Sequence, residues 1–137
     1  SQFISQDALN SSSAKIVEKG DLLYALYGAT SGQVSLSRIN GAINQAVLCI
    51  RTVEYKEFLF QYLKFKKESI LSKYLQGGQG NLSAQIIKKI KYPFPSIPEQ
   101  QIIADFLTSI DIKIKLVNTL LEKTQSFKKG LLQQMFV

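Results

Sequence analysis

Glu54-Tyr55-Lys56 is the first place where residue types and spacing suggest chemistry, because it matches the E-x-K half of a common metal-dependent nuclease motif. That motif sets its acid and its lysine on a strand facing one metal, beside a preceding aspartate. Here the triplet opens a helical segment, where Glu54 most simply favours the positive end of the helix dipole. A small magnesium-dependent nuclease is therefore kept only as a third reading. Other catalytic classes fall away on composition. The chain has no histidine and one cysteine, Cys49, so neither a zinc site nor a histidine-based triad can be built. Gly28-x-x-x-Gly32 lacks the lysine that holds a β/γ-phosphate in a phosphate loop. No metal and no cofactor are expected.

Binding chemistry is better represented. The net charge is +7, and it is unevenly spread. Residues 1–53 carry four basic and three acidic side chains, residues 54–98 eight and three, and residues 99–137 five and four. The positive field belongs to the middle of the chain, where a polyanion is the natural partner. A lysine-rich surface kept for solubility fits the charge equally well, and charge alone leaves both open. Lys64, Lys66, Lys67 and Lys73 can hold phosphates, which adds affinity but no sequence information. Thr30, Ser31, Arg38, Gln45, Gln79 and Asn81 are of the types that read base edges, Asn and Gln pairing with adenine and Arg with guanine. Each has an ordinary alternative: Asn81 can hold a turn, Gln79 can be solvated, and Arg38 can flank a hairpin.

The elements that must position these residues follow from periodicity. Ser1 to Ser13 is polar and serine-rich. Lys15 to Asp21 reads as a short strand and a turn, Leu22 to Tyr27 as an apolar strand, and Gln33 to Ile39 as an alternating one. Asn40-Gly41 is the best hairpin signal, and Asn44 to Thr52 returns as a further strand. From Glu54 the period becomes helical, through Phe58, Leu59, Tyr62, Leu63 and Phe65, then Ile70, Leu71 and Tyr74, with the lysines on the remaining surface. Glycines 77, 78 and 80 end that run. Ser83 caps a short helix through Lys89, and Ile90 to Phe94 looks like a last strand. Room exists for one domain with a real core plus one appendage.

That appendage is a long helix opened by Ser96-Ile97-Pro98-Glu99, which has capping-box spacing with proline in the first turn. Ile103, Leu107, Ile110, Ile114, Val117, Leu121, Thr124, Lys128, Leu131 and Met135 recur at alternating spacings of four and three. All but Thr124 and Lys128 are apolar, which is a coiled-coil seam. A helix of that length reaches roughly 55–60 Å, so part of it should project and want a partner helix. A second stripe of Ile102, Phe106, Leu116, Leu120 and Phe127 lets the proximal part fold back on its own domain instead. Gly130 is a weak point, costing about 1 kcal/mol relative to alanine. The helix is nearly neutral, as suits packing against another helix. No apolar run approaches the ~18 residues that span a bilayer, and no secretory signal is present. With the lone Cys49, these features point to the cytoplasm. The only methionine is Met135, so the chain is read as a piece of something longer.

The run Gly77-Gly78-Gln79-Gly80-Asn81-Leu82-Ser83, the Tyr92-Pro93-Phe94-Pro95 segment and Ile97-Pro98-Glu99-Gln100-Gln101-Ile102-Ile103-Ala104 together resemble the DNA-specificity subunits of type I restriction–modification systems. Gly20-Asp21-Leu22-Leu23 followed by Gly28-x-x-x-Gly32 is similar to that family's strand and loop, and Lys129 to Met135 to the usual end of its long helix. The proline–Glu-Gln junction is the specific part. The resemblance implies an α+β fold: a small, mainly antiparallel β target-recognition domain with short helices, followed by one long coiled-coil helix. It implies residues 1–95 as a partial recognition domain and 96–137 as the conserved helix.

It further implies two recognition domains in the whole subunit, separated by two long helices that pack antiparallel, set the distance between half-sites and dock methyltransferase (M) subunits. Chemistry, namely adenine methylation and translocation-coupled cleavage, sits on other chains, including the restriction (R) subunit. The chain is then expected to be non-enzymatic, to recognise double-stranded DNA, and to correspond to the C-terminal repeat. With the other repeat's helix absent, the exposed seam is expected to self-associate into an antiparallel dimer. The alternative is an interaction module that tethers partner subunits through the helix without contacting DNA.

Overall fold

The computed structural model describes residues 4–75 and 81–136. It is an α+β fold. A single exposed turn of helix, α1 (Gln6–Asn10), is capped by Ser5, whose hydroxyl accepts from Ala8 N at 3.2 Å. Five short strands follow: β1 (Lys15–Val17), β2 (Leu22–Ala25), β3 (Val34–Leu36), β4 (Gly41–Ile43) and β5 (Val47–Ile50). They form two antiparallel sheets, β1 with β4 and, in the order β3-β2-β5, a three-stranded sheet. Strand β2 is central because its alternate residues are apolar and inward: Leu22, Tyr24 and, just beyond, Leu26 are buried. Leu22 stands opposite Leu36 on one side and Ile50 on the other.

Asn40-Gly41 is not a hairpin loop. Strand β3 pairs only with β2, and after Leu36 the chain leaves the larger sheet, so that Gly41 begins β4 opposite Val17 of β1. Asn40 accepts from Lys19 N at 2.8 Å instead of sitting at the tip of a two-residue turn. The expected strand Gln33–Ile39 is therefore cut short, and the expected strand Asn44–Thr52 shrinks to β5. The organising turn lies earlier. Gly20, at φ +91°, donates to Ser37 O at 2.7 Å, and Ser37 N donates to Asp21 O at 2.8 Å. Only glycine takes that backbone conformation cheaply.

Helix α2 (Lys56–Leu75) crosses the three-stranded sheet and buries Phe58, Leu59, Leu63 and Ile70. Helix α3 (Ala84–Lys89), capped by Ser83 as expected, adds Ile87. The segment 90–94 is not a strand. Ile90, Tyr92 and Phe94 do alternate inward, packing on the core, and Tyr62 meets Tyr92 edge-on at 4.5 Å. Pro93 and Pro95 remove ladder donors, so the segment carries strand-like alternation without a pairing partner.

The last helix, α4 (Ile97–Met135), is continuous and about 58 Å long. Ser96 N donates to Glu99 Oε2 at 2.9 Å, the expected reach-back of the capping box. The helix meets its own domain along the face of Gln100, Ala104, Leu107 and Asp111, so the proximal seam is partly covered, with Leu107 and Ile110 each 37% exposed, while the second stripe stays in solvent, Phe106 at 64%. Gln100 and Ala104 are its only buried residues. Tyr55 Oη donates to Asp105 at 3.3 Å, and Gln61 donates to Asp111 at 2.9 Å. Both pairs are separated by 50 residues, so α2 and α4 run in the same direction in register. From Ile112 to Lys129 every residue is exposed, so the distal part projects. No described helix is long and apolar enough to cross a membrane.

Candidate nucleic-acid interface

The four lysines of α2 do not form one surface. At ~100° per residue, Lys66 and Lys73 share one flank of the helix, and Lys64 and Lys67 share the other. Each flank recruits different neighbours. Lys66 and Lys73 line a groove of about 230 Å³ with Tyr62, Tyr74, Tyr92 and Lys91. Their ammonium groups lie over aromatic faces, Lys66 over the exposed Phe65 at 5.0 Å and Lys73 over the half-buried Tyr74 at 5.4 Å.

On the opposite flank, Lys64 and Lys67 line a hollow with Gly32, Gln33, Val34 and Phe60. Phe60 also lines the adjoining, larger hollow of about 730 Å³, which holds Lys19, Ser35 and Arg38. This β3–α2 face therefore sets four cations along a strip that includes the exposed polar side chains Gln33 and Ser35. Its construction depends on Gly32, at φ +79°, which lies beneath α2 where an added Cβ would stand 3.0 Å from Lys67 Cγ. Lys64 makes an exposed 3.6 Å ion pair with Asp111, and Lys67 reaches Glu68 at 4.0 Å. Exposed pairs of this kind are worth at most about 1 kcal/mol and yield readily to a phosphate.

The remaining candidates disperse. Ser31 is buried, and its hydroxyl donates to Leu26 O at 3.1 Å, so it holds the β2–β3 turn and does not reach solvent. Thr30 is exposed in that same turn. Gln45 is exposed on the opposite edge of the sheet, lining a hollow with Lys15, Tyr27, Asn44 and Ser83. Asn81 is exposed beside the fully buried Leu82, and Gln79 lies outside the described residues. Arg38, Lys64 and Lys67 are thus brought together, while Gln45 and the Lys66–Lys73 pair stand apart. Lys19, Gln33, Phe60 and Lys91 were not singled out by sequence. Lys19 had a signal, its place next to the Gly20-Asp21 turn.

Glu54 and Lys56 do not face a metal-like cluster. Glu54 Oε2 accepts from Gln100 Nε2 at 2.6 Å, which places the carboxylate in the α2–α4 junction. Among the described residues, no group of three or more metal-ligating side chains gathers. At the other end of the sheet Asp21 is held by Arg51 at 2.9 Å and by Glu18 N at 2.9 Å, and its carboxyl is lowered to about 2, chiefly by the Arg51 hydrogen bond. That makes Asp21 a permanently charged structural anchor and not a proton carrier. Burial, and then Asp21 itself, push the neighbouring Cys49 thiol up, so it is not an activated nucleophile.

Comparisons with known proteins match this architecture. The chain is 28% identical over 127 residues to the type I restriction enzyme MjaVIII specificity subunit of Methanocaldococcus jannaschii, covering 88% of this chain and 29% of that protein. Its fold superposes on the crystal structure of a type I restriction–modification system S subunit from M. genitalium with a TM-score of 0.65 at 20% identity, covering 88% of this chain and 33% of that one. The chain spans about a third of the length of these relatives. Residues 1–125 match the model of the type I restriction modification DNA specificity domain, and the chain belongs to that family.

Proposed function

We propose that this chain recognises double-stranded DNA as part of a type I specificity subunit, and that the β3–α2 face is the surface presented to the duplex. The chain is a specificity component and not a catalytic one, in keeping with its family. The observation that supports the reading is the convergence of Lys19, Arg38, Lys64 and Lys67 around Phe60, with Gln33 and Ser35 exposed among them. Lysines supply the salt-sensitive phosphate contacts that set register. Arg38 and Gln33 have the donor geometry to read guanine and adenine edges in a major groove.

In this proposal residues 1–95 form the recognition unit and 96–137 the spacer helix. The distal part of α4, from Ile112 onward, is a spacer between half-sites and a docking arm for methyltransferase subunits, through which the restriction subunit is joined. Its exposed seam fits the second long helix of a complete specificity subunit. Comparing genomic methylation with and without the intact gene tests the reading. Loss of methylation at one defined sequence supports it, and an unchanged methylation pattern contradicts it.

A second reading is favoured by one feature. Helix α4 leaves both its apolar stripes exposed, Ile114 at 54% and Phe106 at 64% among them, as a pure tether of partner proteins would. Capture of the methyltransferase by a complete subunit that binds no DNA would establish that alternative.

A further inference from the structure

Gln100 is fully buried, and its amide bonds three groups on two other stretches of the chain, 54–55 and Pro95. Its Oε1 accepts from Tyr55 N at 3.0 Å, at the start of α2. Its Nε2 donates to Glu54 Oε2 at 2.6 Å and to Pro95 O at 3.0 Å. One amide therefore satisfies an otherwise orphaned backbone donor at the α2 N-terminus, the carboxylate beside it, and the carbonyl that closes the proline-rich connector. One turn on, Ala104 is also fully buried, and its small side chain lets the two helices approach. Past it, Asp105 and Asp111 continue the in-register contact to Tyr55 and Gln61.

We propose that Gln100 is a positioning residue that fixes the angle at which α4 leaves the recognition unit. The inference rests on the proposed role of α4 as a half-site spacer. The described contacts end at Asp111, and Ile112–Met135 extends for about 36 Å beyond them. Angular play of about 10° at the junction would move the far end by roughly 6 Å, close to two base-pair steps. An interface of apolar side chains permits such sliding, whereas a buried amide with fixed donor and acceptor directions does not. The polar character of this junction is thus what its mechanical role requires.

The test uses spin labels at Lys89 and Lys123 in the full 137-residue chain, diluted with unlabelled chain to suppress distances between copies. A single narrow distance is expected for the parent and a distribution at least twice as wide for Gln100→Met, which keeps the volume and removes the hydrogen bonds. The exchange Glu54→Gln with Gln100→Glu restores two of the three contacts and should narrow the distribution again. A complete subunit with its methyltransferase provides the second readout, methylation of duplexes whose spacer is lengthened or shortened by one base pair. Gln100→Met should lower discrimination between spacers at least threefold, a change that simple loss of stability would not produce. An unchanged distance distribution, or an equal loss at every spacer length, overturns the proposal. If the parent complex recognises no DNA, the proposed function fails, while the distance measurement still decides the role of Gln100.

Discussion

Asp21 and Arg51 meet at 2.9 Å across the sheet, and this pair explains why the turn before β2 begins with Gly-Asp. Gly20 supplies the left-handed backbone, and Asp21 then receives Glu18 N and the Arg51 guanidinium, tying the β1–β2 turn to the end of β5. The carboxyl is depressed to about 2. A depressed carboxylate contributes stability that is fully present above its unfolded value of about 3.9 and is lost as pH falls through the folded value. Urea midpoints should therefore hold steady on this account down to about pH 4 and decline between about pH 4 and 2. Asp21→Asn should lower the midpoint at pH 7 and remove that part of the decline. An acid profile identical to the parent's would show the pair to be inconsequential.

The two glycines of the β2–β3 turn separate strain from close approach. Gly28 has φ +71° with open space where a Cβ would go, and Gly32 has φ +79° with Leu71 Cδ2 at 3.2 Å as well as Lys67 close by. Gly28→Ala should cost about 1–2 kcal/mol from backbone strain alone. Gly32→Ala should cost more, about 2–4 kcal/mol, because α2 must also shift. Equal urea-unfolding penalties for the two would mean that α2 does not press on this turn.

The exposed seam of α4 predicts self-association of the chain as an antiparallel dimer. Ile103, Leu107, Ile110, Ile114, Val117, Leu121, Leu131 and Met135 are all exposed in the single chain. Thr124 turns its hydroxyl back onto Leu120 O at 2.8 Å, and Lys128 is charged, so packing should be loosest there. Converting both to leucine should tighten the dimer by about 1.5–3 kcal/mol per chain, and so a hundredfold or more in dissociation constant for the two chains together. Val117→Glu with Leu121→Glu should give a monomer. Sedimentation of the unaltered chain as a monomer at high concentration would count against the dimer.

The long helix, its capped start, the Ser83 cap and the basic helix were legible because each rests on local sequence: cap residues, period and proline placement. The sheet was legible only as strands, not as pairings. Asn40-Gly41 carries the local signature of a hairpin, yet β4 is drawn to β1 by contacts that no short window contains. Residues 90–94 alternate like a strand because three of them face the core, but alternation reports burial and not hydrogen bonding. The candidate site was legible as residue types, not as a surface. A run of lysines at positions 64, 66, 67 and 73 reads as one patch until the helical angle divides it. Ser31 looked like a base reader because its buried bond to Leu26 O depends on the tertiary turn. Gln100 was visible only as part of a junction motif, since its partners lie 46 residues away at Glu54 and 5 residues away at Pro95.

If the β3–α2 face meets the DNA phosphates, its lysines carry the salt dependence of binding. The measurement is made on a complete specificity subunit with its methyltransferase, on a duplex carrying the methylated sequence. Removing Lys19, Lys64 and Lys67 together should reduce the slope of log affinity against log salt by about 2.7, since each phosphate contact contributes roughly 0.9. Removing Lys66, Lys73 and Lys91, on the other flank of α2, should leave that slope nearly unchanged. An unaltered slope in the first variant, above all with a flattened slope in the second, would mean that the β3–α2 face does not meet the DNA.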